Sequence, residues 1–224
     1  FEACSNRKIG SVYLIDGVID ISDGKTTCPI RTAHFDADAG NTVGNWTVKG
    51  VKVLSDRGDS PNQQFLVSAS NKILFRDVSV HGKLRTGVFN GGDILFDNYT
   101  YNDKTQPVYT FVNFSYLKVI NSQFTGVNAT SQYSGALSLQ PNHTARILIA
   151  GSDFINVTNA ISLTSKEEIA LITVYLNVSD CVFRNIDTYE NAHAVNLQSN
   201  IHIPNLTGSG NTFLANMKPL RVSG

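Results

Sequence analysis

The sequence predicts an all-β fold, a right-handed parallel β-helix (a solenoid) with three short strands per coil and about seven to eight coils. Three observations lead there. The 224 residues include one Met, one Trp and four Glu, set against 22 Asn, 20 Ser, 18 Thr and 17 Gly. Strong helix formers are scarce, while β-branched and turn residues abound. A phrase of alternating apolar residues, closed by Asn, Asp or Gly and then by another apolar residue, recurs along the chain. A further short apolar run stands ahead of several copies, as a third strand in each coil would.

Residues 1–9 read as an N-terminal extension and 10–224 as the coils of a single domain. The first strand-like segment runs from Gly10 to Ile21. The copies of the phrase then follow in order: Trp46, Val48, Gly50, Val53; Ile73, Phe75, Asp77, Val80; Ile94, Phe96, Asn98, Tyr101; Leu117, Val119, Asn121, Phe124. They continue as Ile147, Ile149, Gly151, Phe154; Leu176, Val178, Asp180, Phe183; and a weaker copy with Leu206, Gly208, Gly210, Phe213. The closing apolar positions lie 27, 21, 23, 30, 29 and 30 residues apart, lengths that suit one solenoid coil with variable loops. Ser165-Lys166-Glu167-Glu168, ahead of Ile169, has a capping-box pattern and predicts a turn of helix in the loop before the sixth coil.

The phrase has a physical meaning. Apolar residues at a period of two make a strand with one buried face. Asn, Asp and Gly enter the left-handed backbone region at low cost, so Gly50, Asp77, Asn98, Asn121, Gly151, Asp180 and Gly210 are expected turn positions, where each strand bends and continues as a second one. The next residue, in turn Val51, Val78, Tyr99, Ser122, Ser152, Cys181 and Asn211, then points inward. Cys181 is therefore a member of a core stack rather than a nucleophile. The third strand is marked by Phe65-Leu66-Val67, Val88-Phe89, Val108-Tyr109, Ala136-Leu137, Ala160-Ile161 and Ala194-Val195. A β-sandwich would instead call for two-residue hairpin turns and no bend at a fixed place.

Gly10-Ser11-Val12-Tyr13-Leu14-Ile15-Asp16-Gly17-Val18-Ile19-Asp20-Ile21 resembles the first coil of pectate-lyase-like β-helix proteins, and Asn45 to Val51 is similar to the strand that follows it. Phe154-Ile155-Asn156 and Phe183-Arg184-Asn185, with Gly135-Ala136-Leu137, are similar to repeats of chlamydial polymorphic membrane proteins, another β-helical surface group. These resemblances span nearly the whole chain and imply the fold; they specify function poorly.

Lys and Arg number 18 and Asp and Glu 18, so the chain is formally neutral, which argues against a nucleic-acid partner. No apolar run approaches the roughly 18 to 20 positions of a membrane helix, and the chain opens without a basic-then-apolar leader, so neither membrane insertion nor an uncleaved signal is expected. Eight Asn head an Asn-X-Ser/Thr triplet: Asn45, Asn98, Asn113, Asn128, Asn142, Asn156, Asn177 and Asn205. Composition alone would give roughly half as many, and the excess points to N-glycosylation at the cell surface or outside the cell. Cys4 and Cys28 bracket the first strand-like segment and are expected to form a disulfide. The five His are dispersed and no Cys pair has metal-ligand spacing, so neither a metal nor any cofactor is expected beyond the covalent glycans.

Many pectate-lyase-like proteins cut acidic polysaccharides. Polygalacturonase-type enzymes carry Asn-Thr-Asp, Asp-Asp, His-Gly and Arg-Ile-Lys phrases; only His81-Gly82 is present here. Asp77, Asp97, Asp153 and Asp180 fall on different coils, and the best constellation for catalysis is Asp77, His81 and Asp103. Tyr109, Tyr116 and Tyr133 are candidates for stacking on sugar rings. Neither end of the solenoid reads as capped: residues 1–9 lack a helical apolar stripe and Leu220-Arg221-Val222 reads as a strand. The expected function is a non-enzymatic extracellular structural or adhesive glycoprotein. It would be a subunit of a head-to-tail fibril or a segment of a larger surface protein. The alternative is a polysaccharide-degrading enzyme or a tailspike-like module that binds carbohydrate.

Overall fold

The computed structural model describes residues 2–3, 8–22, 30–32, 42–55, 64–82, 86–105, 108–127, 135–164, 172–185, 192–198, 201–215 and 217–223. Among these residues every regular element is a strand. In chain order they are β1 (Glu2–Ala3), β2 (Lys8–Asp20), β3 (Arg31–Thr32), β4 (Thr42–Ser55), β5 (Gln64–Gly82), β6 (Thr86–Thr105), β7 (Val108–Val112), β8 (Tyr116–Ile120), β9 (Gln123–Val127) and β10 (Leu137–Gln140). The rest are β11 (Ala145–Ala150), β12 (Asp153–Ile155), β13 (Asn159–Leu163), β14 (Ile172–Ser179), β15 (Val182–Asn185), β16 (His193–Gln198), β17 (Ile201–Thr207), β18 (Thr212–Ala215) and β19 (Lys218–Ser223).

All pairings are parallel, and the strands curl into a half-barrel. Three continuous ladders account for the pairing. The first passes through Val12, Trp46, Ile73, Ile94, Leu117, Ile147, Leu176 and Leu206 as successive register partners. The second passes through Ile19, Val53, Val80, Tyr101, Phe124, Phe154, Phe183 and Phe213. The third links Val67, Phe89, Phe111, Leu139, Leu163, Leu197 and Val222. Each repeat therefore sets its apolar phrase directly on the equivalent phrase of the next one.

Parallel strands need long crossovers, and their inward faces form one core. Trp46, Phe75, Phe96, Tyr101, Phe124 and Phe154 are all fully buried in it. Phe124, Phe154, Phe183 and Phe213 stack ring on ring, with centroids 5.3, 5.2 and 5.4 Å apart and planes within 11° of parallel. That spacing is slightly wider than the separation of paired strands, so identical side chains in register stack face to face without adjusting the backbone.

The bends lie between the first and second ladders. Gly50, Asp77, Asn98, Asn121, Gly151, Asp180 and Gly210 have φ of 64°, 54°, 53°, 51°, 56°, 53° and 68°. Asp16, not among the expected turn positions although Val12, Leu14, Asp16 and Ile19 have the spacing of the phrase, has φ 49° and starts the same column. A Cβ on Gly50 would collide with the carboxylate of Asp16, and one on Gly210 with that of Asp180, so glycine at these two places is demanded by the neighbouring repeat as well as by φ.

The weaker last copy differs from the others. Leu206 and Phe213 occupy inward register positions yet are 45% and 39% exposed, because no further described repeat covers them. Tyr109, expected as a candidate for stacking on sugar rings, is fully buried: it shares the parity of Phe111 on β7 and is in register with the buried Leu137 of β10, so its ring is on the core face. Cys4, Cys28, Asn128, Tyr133 and the Ser165-Glu168 phrase lie outside the described residues.

Candidate functional site

Two chains of polar groups run along the bend. In the outer one, Asn98 Nδ2 donates to Asp77 Oδ1 at 2.8 Å, and Asn121 Nδ2 reaches Asp97 Oδ1 at 3.4 Å. Asp97 also meets Arg76 Nε through Oδ2 at 3.0 Å. Two of the carboxylates considered for catalysis, those of Asp77 and Asp97, are thus acceptors in this framework. His81 is exposed and lies opposite Asn102; the side chain of Asp103 is outside the described set. The structure does not bring Asp77, His81 and Asp103 together through any hydrogen bond among the described residues, and no three of His, Cys, Asp and Glu are grouped there as a metal would require.

The inner chain uses the residue after each bend. The bend takes that residue's N–H away from any carbonyl of the next strand, and a side chain from the next repeat supplies the acceptor. Tyr99 N–H donates to Ser122 Oγ and Ser122 N–H to Ser152 Oγ, both at 3.1 Å. Ser152 N–H donates to the sulfur of Cys181, and Cys181 N–H to Asn211 Oδ1 at 3.0 Å. Each acceptor is oriented by a bond of its own: Ser122 Oγ–H to Ile120, Ser152 Oγ–H to Ala150, Cys181 Sγ–H to Ser179 and Asn211 Nδ2 to Val178, in each case at the carbonyl oxygen. Burial pushes the Cys181 thiol up to about 11, against the ordinary 9.0, although the Ser152 N–H favours the thiolate. The thiol is free and buried, so it is an internal acceptor and not an accessible nucleophile.

The sequon asparagines divide by what their amides do. Asn98, at the bend, is engaged with Asp77, and Asn113, with φ 54°, donates through Nδ2 to Asn90 Oδ1 at 3.0 Å. Asn45 is half-buried and its Nδ2 bonds Ser11 Oγ at 3.1 Å. Asn156 is half-buried with φ 56°. Asn142 is exposed and contacts His143. Asn177 and Asn205 are exposed, and no side-chain hydrogen bond is found for either.

Asn177 and Asn205 share a wall of one groove on the solvent side of the first ladder. The groove has a volume of about 370 Å³ and is lined mainly by Tyr116, Arg146, Leu148, Tyr175, Asn177 and Asn205. Register explains the cluster: Arg146 lies between Tyr116 and Tyr175 on adjacent strands, Leu148 is opposite Asn177, and Tyr175 is opposite Asn205. The Arg146 guanidinium stands over the Tyr175 ring, 5.8 Å from its centroid.

No protein-family model, curated protein or solved structure matches the chain. The functional reading therefore comes from the geometry alone.

Proposed function

We propose that the chain is a right-handed parallel β-helix of the pectate-lyase-like kind, with three strands to a coil and about seven to eight coils. It serves as a non-enzymatic, N-glycosylated structural or adhesive protein at the cell surface or outside the cell, as a subunit of a head-to-tail fibril or as a segment of a larger surface protein.

The observation that supports this most is the distribution of apolar surface. Ten large apolar side chains stand exposed among the described residues, and eight of them lie in the first or last repeat. At one end Tyr13, Ile15 and Val18 face outward, where their register partners one repeat on are Thr47, Lys49 and Lys52. At the other end Leu206, Phe213, Leu220 and Val222 stand exposed in inward register. Between them, among the described residues, only Tyr116 and Tyr175 are large apolar side chains that stand exposed. Inward-facing apolar surface at the end of a repeat array, as at Leu206, Phe213, Leu220 and Val222, is what a stacking neighbour buries, whether that neighbour is a further repeat of a longer chain or another copy.

The column at the bend is compatible with such a contact. Along the chain Gly50 is followed by Asp77 and Gly151 by Asp180. Setting the first repeat of a second copy on the last repeat places its Asp16 after Gly210, its Val12 on Leu206 and its Ile19 on Phe213. The contact is heterologous and does not close, so it propagates into a filament. Glycans on exposed sequons would keep a neutral rod soluble and leave its ends free.

Negative-stain imaging and sedimentation across a concentration series test the assembly. Rods that lengthen in steps of one subunit are expected, and Phe213→Asp should shorten them. Monodisperse short rods at high concentration would overturn it. Glycopeptide mass spectrometry tests the compartment: bare sequons throughout would remove the extracellular reading.

A further inference from the structure

The two exposed apolar side chains that do not belong to the end repeats are Tyr116 and Tyr175, 38% and 39% exposed, and both line the groove. They need an explanation of their own, since the end-to-end contact leaves them in solvent. Tyr175 and Asn177 are two apart on β14, so they project from the same face of the sheet, roughly 6 to 7 Å apart along the strand. Leu148 is the register neighbour of Asn177 on β11 and presents an aliphatic side chain where a polar surface residue would be expected. Arg146 lines the groove with its guanidinium over the Tyr175 ring, and a guanidinium carries five N–H donors.

These groups match the chemistry of an amino sugar. The C–H face of a pyranose packs on an aromatic ring, its N-acetyl methyl on an aliphatic side chain, and its amide carbonyl accepts from a cationic donor. A groove of about 370 Å³ has room for such a ring. The Asn177 amide, free of internal hydrogen bonds, heads the Asn177-Val178-Ser179 triplet within the wall of the groove. We propose that the groove is the docking site of the protein's own glycan: the N-acetylhexosamine linked to Asn177 lies over Tyr175 and Leu148, with its acetamido carbonyl on Arg146. This rests on the extracellular, glycosylated reading above and adds that one glycan is a packed part of the surface rather than a mobile coat.

The linkage also separates Asn177 from the other sequons. Asn98 and Asn113 sit at left-handed positions with Nδ2 committed to the neighbouring repeat, so a sugar there would compete with the framework. Asn205 faces the same tyrosine from β17, one strand further on and diagonal to Leu148.

The test is a four-protein set made in a glycosylating host: the parent, Asn177→Gln, Tyr175→Ala and the double variant, with the same four made unglycosylated in bacteria. Glycopeptide mapping gives occupancy. In the glycosylated set Asn177→Gln should lower the melting temperature, and that drop should at least halve in the Tyr175→Ala background; in the unglycosylated set the two substitutions should be additive. The pyranose C–H resonances of the Asn177-linked sugar should shift upfield through the tyrosine ring current and return to their free positions in Tyr175→Ala. An unmodified Asn177 beside occupied sequons elsewhere would overturn the inference and spare the functional reading. So would an occupied Asn177 with no coupling and unshifted pyranose C–H resonances. Binding of free chitobiose to the fully glycosylated parent, lost in Tyr175→Ala, would show the groove to be vacant and likewise overturn it. Bare sequons throughout would take both down together.

Discussion

Asn98 donates its side-chain amide to Asp77 Oδ1 at 2.8 Å, from one bend to the bend of the preceding repeat, and both residues hold φ near 54°. The pair joins two costs in one contact. Asn and Asp enter the left-handed region more cheaply than other non-glycine residues, and the bond between these two side chains, 21 residues apart, ties two repeats together. Asn98→Ala should therefore lose about 1 to 2 kcal/mol for the backbone conformation and roughly 1 kcal/mol for the hydrogen bond. Asn98→Gly should recover most of the first contribution and none of the second. Urea unfolding of unglycosylated protein checks both without interference from the sequon.

Gly50 poses the opposite case. Its φ of 64° is shared with asparagines elsewhere in the column, yet a Cβ at this position meets the Asp16 carboxylate. Gly50→Ala should cost more than the roughly 1 to 2 kcal/mol of left-handed strain alone. Adding Asp16→Gly should return part of the loss. If the double variant is no more stable than Gly50→Ala, the collision is not the source.

Cys181 predicts a pH dependence. Its folded pKa of about 11 lies above the ordinary 9.0, so the folded state holds a proton that the unfolded chain has released. The associated stability is fully present below pH 9 and is lost as pH rises through about 11. Cys181→Ser, which keeps an acceptor for the Ser152 N–H, should flatten that part of the curve with little change at neutral pH. Cys181→Val should cost about 1 to 3 kcal/mol at neutral pH by leaving that amide without its acceptor. Native thiol alkylation at pH 8 should be slow and become fast in denaturant.

The phenylalanine stack gives a graded series. Phe154 is fully buried between Phe124 and Phe183, and Phe154→Ala should cost about 3 to 5 kcal/mol. Phe213 is 39% exposed and contacts one ring of the stack, so Phe213→Ala should cost much less in dilute solution. At concentrations where rods lengthen, its cost should rise toward that of Phe154→Ala. A cost independent of concentration would mean that nothing comes to cover the last repeat.

The register was readable because a period of two leaves little freedom: shifting β4 by one residue would expose Trp46 and Val48 together. The bend column was readable because Asn, Asp and Gly share one backbone preference; Asp16 belongs to it too, since Val12, Leu14, Asp16 and Ile19 have the same spacing, although it was not among the expected turn positions. The inner polar chain was not legible. Ser122, Ser152 and Asn211 were placed inward by parity, but only the bent backbone shows that each caps an amide of the preceding repeat. Tyr109 failed for a related reason, since a two-residue apolar run does not reveal which face its neighbours cover. Nor can triplet spacing distinguish the engaged amide of Asn98 from the unengaged one of Asn177, and the groove joins residues from four strands that no local pattern connects.

The inner chain of caps has a direction. Tyr99 is capped by Ser122, Ser122 by Ser152, Ser152 by Cys181 and Cys181 by Asn211, always by the later residue. A repeat leaving the ribosome thus carries an unsatisfied amide until the next has been synthesised, and only then becomes complete. Folding should trail synthesis by one repeat and proceed vectorially, each new repeat latching the one before it. Peeling should start from the late side, where removing a single repeat strips the cap from its predecessor, whereas removal from the early side strips none.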